Sequence, residues 1–253
     1  MNELTQDFLF DVARIAENAG KLIMGYFRQS FQQSSKPDGS VVTTADREAD
    51  ALICRALKVL IPDIPIISEE GDLGNFASHS LFWLVDPLDG TSQFVRGREE
   101  FTVNIALIRH GVPVLGVIYH PPTEKMYAAY DDHLFIGKGS ELHPLDTRGP
   151  KRDVVIIGNA RERGPEFDAV LAKHGLSSAQ VLVLPSSLKF CVMAEGNACF
   201  QYRARPSSEW DIAAGHALIA ARGGKILTFS GDDLIYGKED YKNSGFIAVL
   251  PRT

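Results

Sequence analysis

Pro87 is the residue that most restricts how this chain can fold. It follows Leu81-Phe82-Trp83-Leu84-Val85-Asp86, an apolar run of strand length, and proline has no N–H to give to a central sheet ladder. The strand is therefore expected to stop at Asp86 and to deliver Pro87-Leu88-Asp89-Gly90-Thr91 as one tight turn at its end. Such a turn crowds two carboxylates, the Leu88 carbonyl and the Thr91 hydroxyl, with Gly90 permitting close approach of a ligand. Hard oxygen donors grouped this way suit Mg²⁺. Taken alone, the same string also reads as an acidic turn whose aspartate caps the next helix.

What else the chain carries decides between these readings. Its 253 residues suffice for one large core or two tightly joined halves, and 45% hydrophobic with 23% charged residues is an ordinary globular balance. A formal charge of −6 argues against a nucleic-acid polymer or an anionic membrane surface as the main partner. Small phosphates stay open, because bound cations can reverse the local sign of a site. Cys54, Cys191 and Cys199 lack metal-ligand spacing and read as buried free thiols in a reducing cytosol. The segment from Met1 to Glu17 is acidic and amphipathic, which is not the pattern of a signal peptide. No apolar run reaches the roughly 18 residues that a membrane span needs.

Leu4, Phe8, Val12, Ile15, Ala19, Leu22, Ile23, Tyr26 and Phe27 recur at helical spacing and predict a long amphipathic helix over residues 3–32. A polar stretch with the turn signal Pro37-Asp38-Gly39 follows. Val41 to Asp46 then leads into a second helix, with Thr43 or Thr44 as its N-cap and Asp46 as a first-turn acid suited to the helix dipole. Ile64 to Ser68 is a short strand that ends in Glu69-Glu70-Gly71, a pair of acids at a strand end as Asp86 is. Phe101–Arg109 and Val112–Tyr119 pair around His110-Gly111, and Lys125–Tyr130 and His133–Ile136 continue the meander. The turn-rich, charged segment 139–152 marks the boundary between residues 1–145 and 146–253. Beyond it strands and helices alternate: 154–157, 165–174, 181–184, 187–195, 198–203, 209–221, 225–228 and 246–250.

Two phosphatase-like strings are set aside. Arg109-His110-Gly111 falls in a hairpin turn, and Cys199 to Arg205 has C-x5-R spacing without the glycines that let backbone amides cradle phosphate.

Four pieces remain: Asp46, Glu69-Glu70, Asp86-Pro-Leu-Asp89-Gly-Thr91, and a late Trp210-Asp211-Ile-Ala-Ala-Gly215. Together, from about Asp46 to Gly224, they resemble the lithium-sensitive, magnesium-dependent phosphatases of the inositol monophosphatase superfamily. The resemblance is closest to its bacterial 3'(2'),5'-bisphosphate nucleotidases. It is carried there by Glu100-Phe-Thr-Val-Asn-Ile-Ala-Leu-Ile108, Leu115-Gly-Val-Ile-Tyr119, Ser186-Ser-Leu-Lys-Phe-Cys191 and Ala194-Glu-Gly196.

The resemblance implies a layered α/β (α+β) sandwich of the inositol-monophosphatase/fructose-bisphosphatase kind, an antiparallel sheet followed by a mixed sheet with helical layers. Most metal ligands would lie in 1–145, with the substrate side and Asp211 in 146–253. Glu69, Asp86, the Leu88 carbonyl, Asp89 and Asp211 would hold two or three Mg²⁺ ions. Asp46, Glu69 and Thr91 would do the catalytic work on an attacking water, with Glu70 in support. Substrate would meet Glu69, Leu88, Asp89, Gly90, Thr91, Ser186, Ser187, Lys189, Arg203 and Asp211. The implied reaction is hydrolysis of the 3'-phosphate of 3'-phosphoadenosine 5'-phosphate to AMP, in the cytoplasm, as part of sulfur metabolism. An inositol-phosphate or histidinol-phosphate monophosphatase, and a non-catalytic metal-binding regulatory protein, are the alternatives. Homodimerisation and peripheral attachment to the inner membrane are left open by the sequence. The chain departs from the family pattern at Pro185, at Gln93 and across Gln201-Tyr-Arg-Ala-Arg-Pro-Ser207, all on the substrate side.

Overall fold

The computed structural model describes residues 4–29, 33–35, 41–71, 79–145 and 153–251. Helix α1 (Gln6–Tyr26) starts where the Thr5 hydroxyl accepts the Phe8 N–H at 3.2 Å, a cap of about 1 kcal/mol. It ends at Tyr26, earlier than the periodicity predicts, because Phe27 turns extended and Arg28 takes φ +61°. Strands β1 (Gln33–Ser35) and β2 (Val41–Thr43) pair antiparallel, while the Pro37-Asp38-Gly39 turn signal lies outside the described residues. Of the two threonines offered as cap for α2 (Thr44–Leu60), Thr43 takes the role, in a capping box with Asp46.

A meander follows: β3 (Ile66–Ser68), β4 (Leu81–Asp89), the short α3 (Thr91–Val95), β5 (Thr102–Arg109), β6 (Val112–His120), β7 (Lys125–Tyr130), β8 (His133–Lys138) and β9 (Glu141–Pro144). These seven strands form one sheet in chain order. Every neighbouring pair is antiparallel except β3–β4, which is parallel. Strand β9 occupies ground that the sequence assigned to the boundary, whose later residues, 146–152, lie outside the described set.

The second half supplies β10 (Val154–Ile157), α4 (Pro165–Lys173), β11 (Gln180–Val183), α5 (Leu188–Ala194), β12 (Phe200–Arg203), β13 (Ser207–Ser208), α6 (Trp210–Ala221), β14 (Lys225–Thr228), β15 (Lys242–Asn243) and β16 (Phe246–Val249). Its main sheet is mixed and runs β11-β10-β12-β16-β14, parallel as far as β12 and antiparallel after it.

Side-chain parity along β4 explains the layering. Phe82 and Leu84 belong to one buried cluster, with Ile212, Ala214 and Leu218 of α6. Trp83 and Val85 belong to another, with Val12 and Ala16 of α1 and Ala49 and Ile53 of α2. The strand is apolar on both faces because a helical layer covers each, and burying each of these large side chains contributes about 1.5–3 kcal/mol. Ile156, Phe246 and Ala248 of the mixed sheet join the α6 cluster, while Val155, Ile157 and Tyr202 face Phe167 and Leu171 of α4. The order of layers is thus α1/α2, seven-stranded sheet, α5/α6, five-stranded sheet, α4.

Helix α6 is apolar nearly all round, as a helix between two sheets must be. It rests directly on Gly116 of β6, where a Cβ would lie 2.4 Å from the Ala214 carbonyl oxygen.

Strand β4 does not stop at Asp86. Asp86 pairs with Asn104, the ladder skips Pro87 and Leu88, and pairing resumes between Asp89 and Thr102. The proline sits in a β-bulge, where no ladder N–H is required, so it bends the strand instead of ending it.

Candidate metal centre and active site

Parity places Asp86 on the face of Phe82 and Leu84, which is the face that α6 covers. Strand β3 runs parallel beside β4, and the Glu69 N–H donates to the Val85 carbonyl at 3.1 Å, so both strands finish on the same side. The first turn of α6 brings Asp211 to that place, where the Ser208 N–H donates to its Oδ2 at 3.0 Å. One oxygen each of Glu69, Asp86 and Asp211 lie within 4.8 Å of one another.

Asp86 and Asp211 resist ionisation in this company. Burial, and then the charges of Glu69, Asp89 and Asp211, raise the pKa of Asp86 well above the ordinary carboxylate range, although the Leu88 N–H donates to its Oδ1 at 3.1 Å. Burial, and then Asp89 and Glu69, push Asp211 up to about 7. A divalent cation removes that repulsion, and the donor set is all carboxylate oxygen, the ligand type of Mg²⁺. The residues present therefore fit the ion.

Asp89 and Glu70 stand outside this three-oxygen group. Asp89 lines the adjoining cavity together with Asp211, and the Asn104 carboxamide donates to its Oδ2 at 3.4 Å. The Leu88 carbonyl faces Thr91, whose hydroxyl lies 3.0 Å from it and 2.9 Å from Asp46 Oδ1. Asp46 is 2% exposed, and burial raises its pKa against the hydrogen bonds from Thr43 and Thr91. Its helix-capping role and its place beside Thr91 coexist, one oxygen serving each. Gly90 has φ +96°, and a Cβ there would meet the Glu100 carbonyl at 2.7 Å and the Ser186 Cβ at 3.3 Å. Only glycine allows the two halves of the chain to come this close at the bulge.

The far wall comes from the second half. Pro185, Ser186, Lys189, Gln201, Arg203 and Ser207 join Asp89 and Asp211 around a cavity of about 190 Å³. Ser186 takes φ +50° just before α5. The Ser187 hydroxyl turns inward, donating to the Asp211 carbonyl at 3.1 Å and accepting from Asn104 at 2.9 Å, so it braces the site from behind. The Lys189 ammonium donates to the Ser186 carbonyl, and burial lowers its pKa. Arg203 forms an ion pair at 3.5 Å with Glu162, a carboxylate that also accepts the Gly158 N–H at 3.0 Å.

Sequence reasoning gave no role of their own to Asn104, Glu162, Gln201 and Ser207, although Gln201 and Ser207 bound a stretch it placed on the substrate side. For Asn104 and Gln201 the available signal was a lone amide inside an apolar strand. Neither discarded phosphatase string works as one: Arg109-His110-Gly111 spans the β5–β6 hairpin, and the Cys199 thiol is buried against the Val154 carbonyl, although Gln201 and Arg203 farther along its string line the cavity.

The profile of the inositol monophosphatase family matches residues 4–252. The 3'(2'),5'-bisphosphate nucleotidase CysQ of Escherichia coli (strain K12) is 39% identical over 245 residues, which cover 94% of this chain and 98% of that protein. The crystal structure of CysQ from Bacteroides thetaiotaomicron, a bacterial member of the same family, superposes with a TM-score of 0.82 at 30% identity, covering 98% of each chain. A solved IMPase/NADP phosphatase complexed with Mg²⁺ and phosphate shares the fold at a TM-score of 0.70 and 21% identity, over 92% of this chain and 85% of its own.

Proposed function

This chain belongs to the inositol monophosphatase family, and on that footing we propose that it hydrolyses the 3'-phosphate of adenosine 3',5'-bisphosphate to AMP and phosphate, with Mg²⁺ as cofactor. The observation that carries the reading is one cavity lined both by carboxylates, Asp89 and Asp211, and by cations, Lys189 and Arg203. A monoester needs only the carboxylates. A bisphosphate needs both, since the second phosphate requires cations of its own.

Glu69, Asp86, Asp89, Asp211 and the Leu88 carbonyl would hold two or three Mg²⁺ ions. When bound there, Mg²⁺ supplies Lewis acidity and neutralises phosphate charge, which a dianionic ester otherwise turns against any nucleophile. The Thr91 hydroxyl, fixed between Leu88 and Asp46, orients the attacking water. Asp46 takes the proton that this water sheds, and its burial strengthens it as an acceptor. The water oxygen bonds to phosphorus as the P–O3' bond breaks, the ribose oxygen leaves with a proton taken from solvent water, and Asp46 afterwards returns its own proton to solvent. Glu69 and Asp211, from opposite halves of the chain, close the site around the phosphate.

The E. coli relative, a 3'(2'),5'-bisphosphate nucleotidase, supports the substrate assignment. With it goes a cytoplasmic location, since Cys54, Cys191 and Cys199 are read as thiols suited to a reducing compartment. No helix among the described residues is long and apolar enough to cross a membrane.

The test is a panel read by released phosphate: adenosine 3',5'-bisphosphate, inositol 1-phosphate and histidinol phosphate, each with Mg²⁺ and with EDTA. Preference for the bisphosphate by about tenfold or more in kcat/KM supports the reading. Preference for either monophosphate replaces it, and absence of turnover on all three with Mg²⁺ present would leave a non-catalytic protein.

A further inference from the structure

Strand β12 alternates as a strand between two layers should. Phe200 and Tyr202 enter the outer cluster beneath α4. Gln201 points the other way, paired in register with Ile156 of β10 and Ala248 of β16, on a face those residues and Phe246 make apolar. Gln201 is 0% exposed, yet neither its Oε1 nor its Nε2 has a hydrogen-bond partner. The Ser207 hydroxyl on the same cavity wall is also buried and unpartnered.

Leaving both ends of a carboxamide unpaired in an apolar layer works against folding, and an apolar side chain of the same length would pack there at no such cost. Gln201 lines the cavity beside Lys189 and Arg203, so the space that substrate would fill borders its unpaired carboxamide. A phosphate offers acceptors only and would satisfy Nε2 while abandoning Oε1. Both atoms are satisfied together by a neutral group that presents a donor and an acceptor side by side. The edge of an adenine base is one such group, and a ribose hydroxyl is the other that a nucleotide carries.

We propose that Gln201, assisted by the Ser207 hydroxyl, is a specificity residue that binds a neutral donor–acceptor group of the nucleotide, apart from both phosphates. The proposal rests on the nucleotidase reading. It divides the cavity among three chemistries: carboxylates for the cleaved phosphate, cations for the second phosphate, and a carboxamide for the nucleoside.

The experiment compares wild type with Gln201→Met, which keeps length and removes donor and acceptor. Three substrates are used: adenosine 3',5'-bisphosphate, its 2'-deoxy form, and ribose 3,5-bisphosphate without a base. The thermal midpoint of each protein is measured without substrate. The expected result is a loss of about tenfold in kcat/KM on adenosine 3',5'-bisphosphate, carried mainly by KM, with the midpoint unchanged or raised. The loss should vanish on the base-free substrate if Gln201 reads the base edge, and on the 2'-deoxy substrate if it reads the sugar hydroxyl. Equal loss on all three, no loss on any, or a lowered midpoint overturns the proposal, the last because it assigns the carboxamide to the fold. The two readings fail separately. Wild type that leaves adenosine 3',5'-bisphosphate intact removes the nucleotidase reading, whereas wild type and Gln201→Met that cleave it equally well remove only this one.

Discussion

The Thr91 hydroxyl lies 2.9 Å from Oδ1 of Asp46, across 45 positions of sequence. The other oxygen of the same carboxylate accepts the Thr43 N–H at 2.8 Å and so caps α2. The start of a helix and the edge of the site therefore share one side chain.

Thr91→Val should separate these roles. It removes the hydroxyl that orients water but leaves the cap, so kcat should fall by about 10²–10⁴ with little change in thermal midpoint. Thr91→Ser should restore most of the rate. Asp46→Ala should lose activity and also about 1 kcal/mol of stability through the cap, which denaturant melts would reveal. A Thr91→Val enzyme at full rate would take Thr91 out of the chemistry.

Asp89→Asn should remain folded and lose most activity, because Asp89 joins cavity and carboxylate cluster without packing in the core. Wild-type turnover should require Mg²⁺ and be inhibited by Li⁺, with K⁺ as control. Full activity of Asp89→Asn at saturating Mg²⁺ would remove it from the ligand set.

Asp211 gives the pH dependence. Its pKa rises from the ordinary 3.8 to about 7 in the folded chain without metal. Between those values the folded protein holds a proton that the unfolded chain has released, so the stability of the metal-free protein falls as pH rises through that window. Mg²⁺ competes with the same proton and should stabilise most above about pH 7. Thermal melts with EDTA and with Mg²⁺, at about pH 5 and about pH 8, measure both effects. A Mg²⁺-induced rise in midpoint that is larger at the lower pH would contradict the assignment.

Lys189→Ala and Arg203→Ala should each lower kcat/KM on adenosine 3',5'-bisphosphate by roughly 10- to 150-fold, the value of one charge-assisted hydrogen bond. The loss on a monophosphate lacking the 5'-phosphate should be small. Arg203 is held by Glu162, so Glu162→Gln should reproduce a milder form of the Arg203 effect. Equal losses on both substrates would assign these cations to the fold or to the metal site.

What the sequence made legible was set by period and position. Acids that follow apolar runs were visible as Glu69 and Asp86, and Asp211 was visible as an acid opening an apolar helix. The bulge at Pro87 was not, since whether a proline ends a strand or kinks it depends on a partner strand that resumes pairing beyond it. Strands β13 and β15 have two residues each, too few to show a period of two, and β9 lies in a stretch whose turn formers and charge read as a boundary. Asn104 and Gln201 became informative only when their neighbours proved apolar and their own polar atoms could be followed, one to Asp89 and Ser187, the other to no partner.

Because α6 lies against the bare backbone of Gly116, the spacing between Asp211 and the acids of the first sheet is governed by a residue that touches none of them. A side chain added at Gly116 would collide with the Ala214 carbonyl oxygen, an atom that every amino acid brings to that position. No single second change can make room for it. Under drift, then, Gly116 is a position from which a lineage cannot step away and return by one compensating substitution, and a screen for inactive yet soluble variants should recover it as readily as the acids themselves.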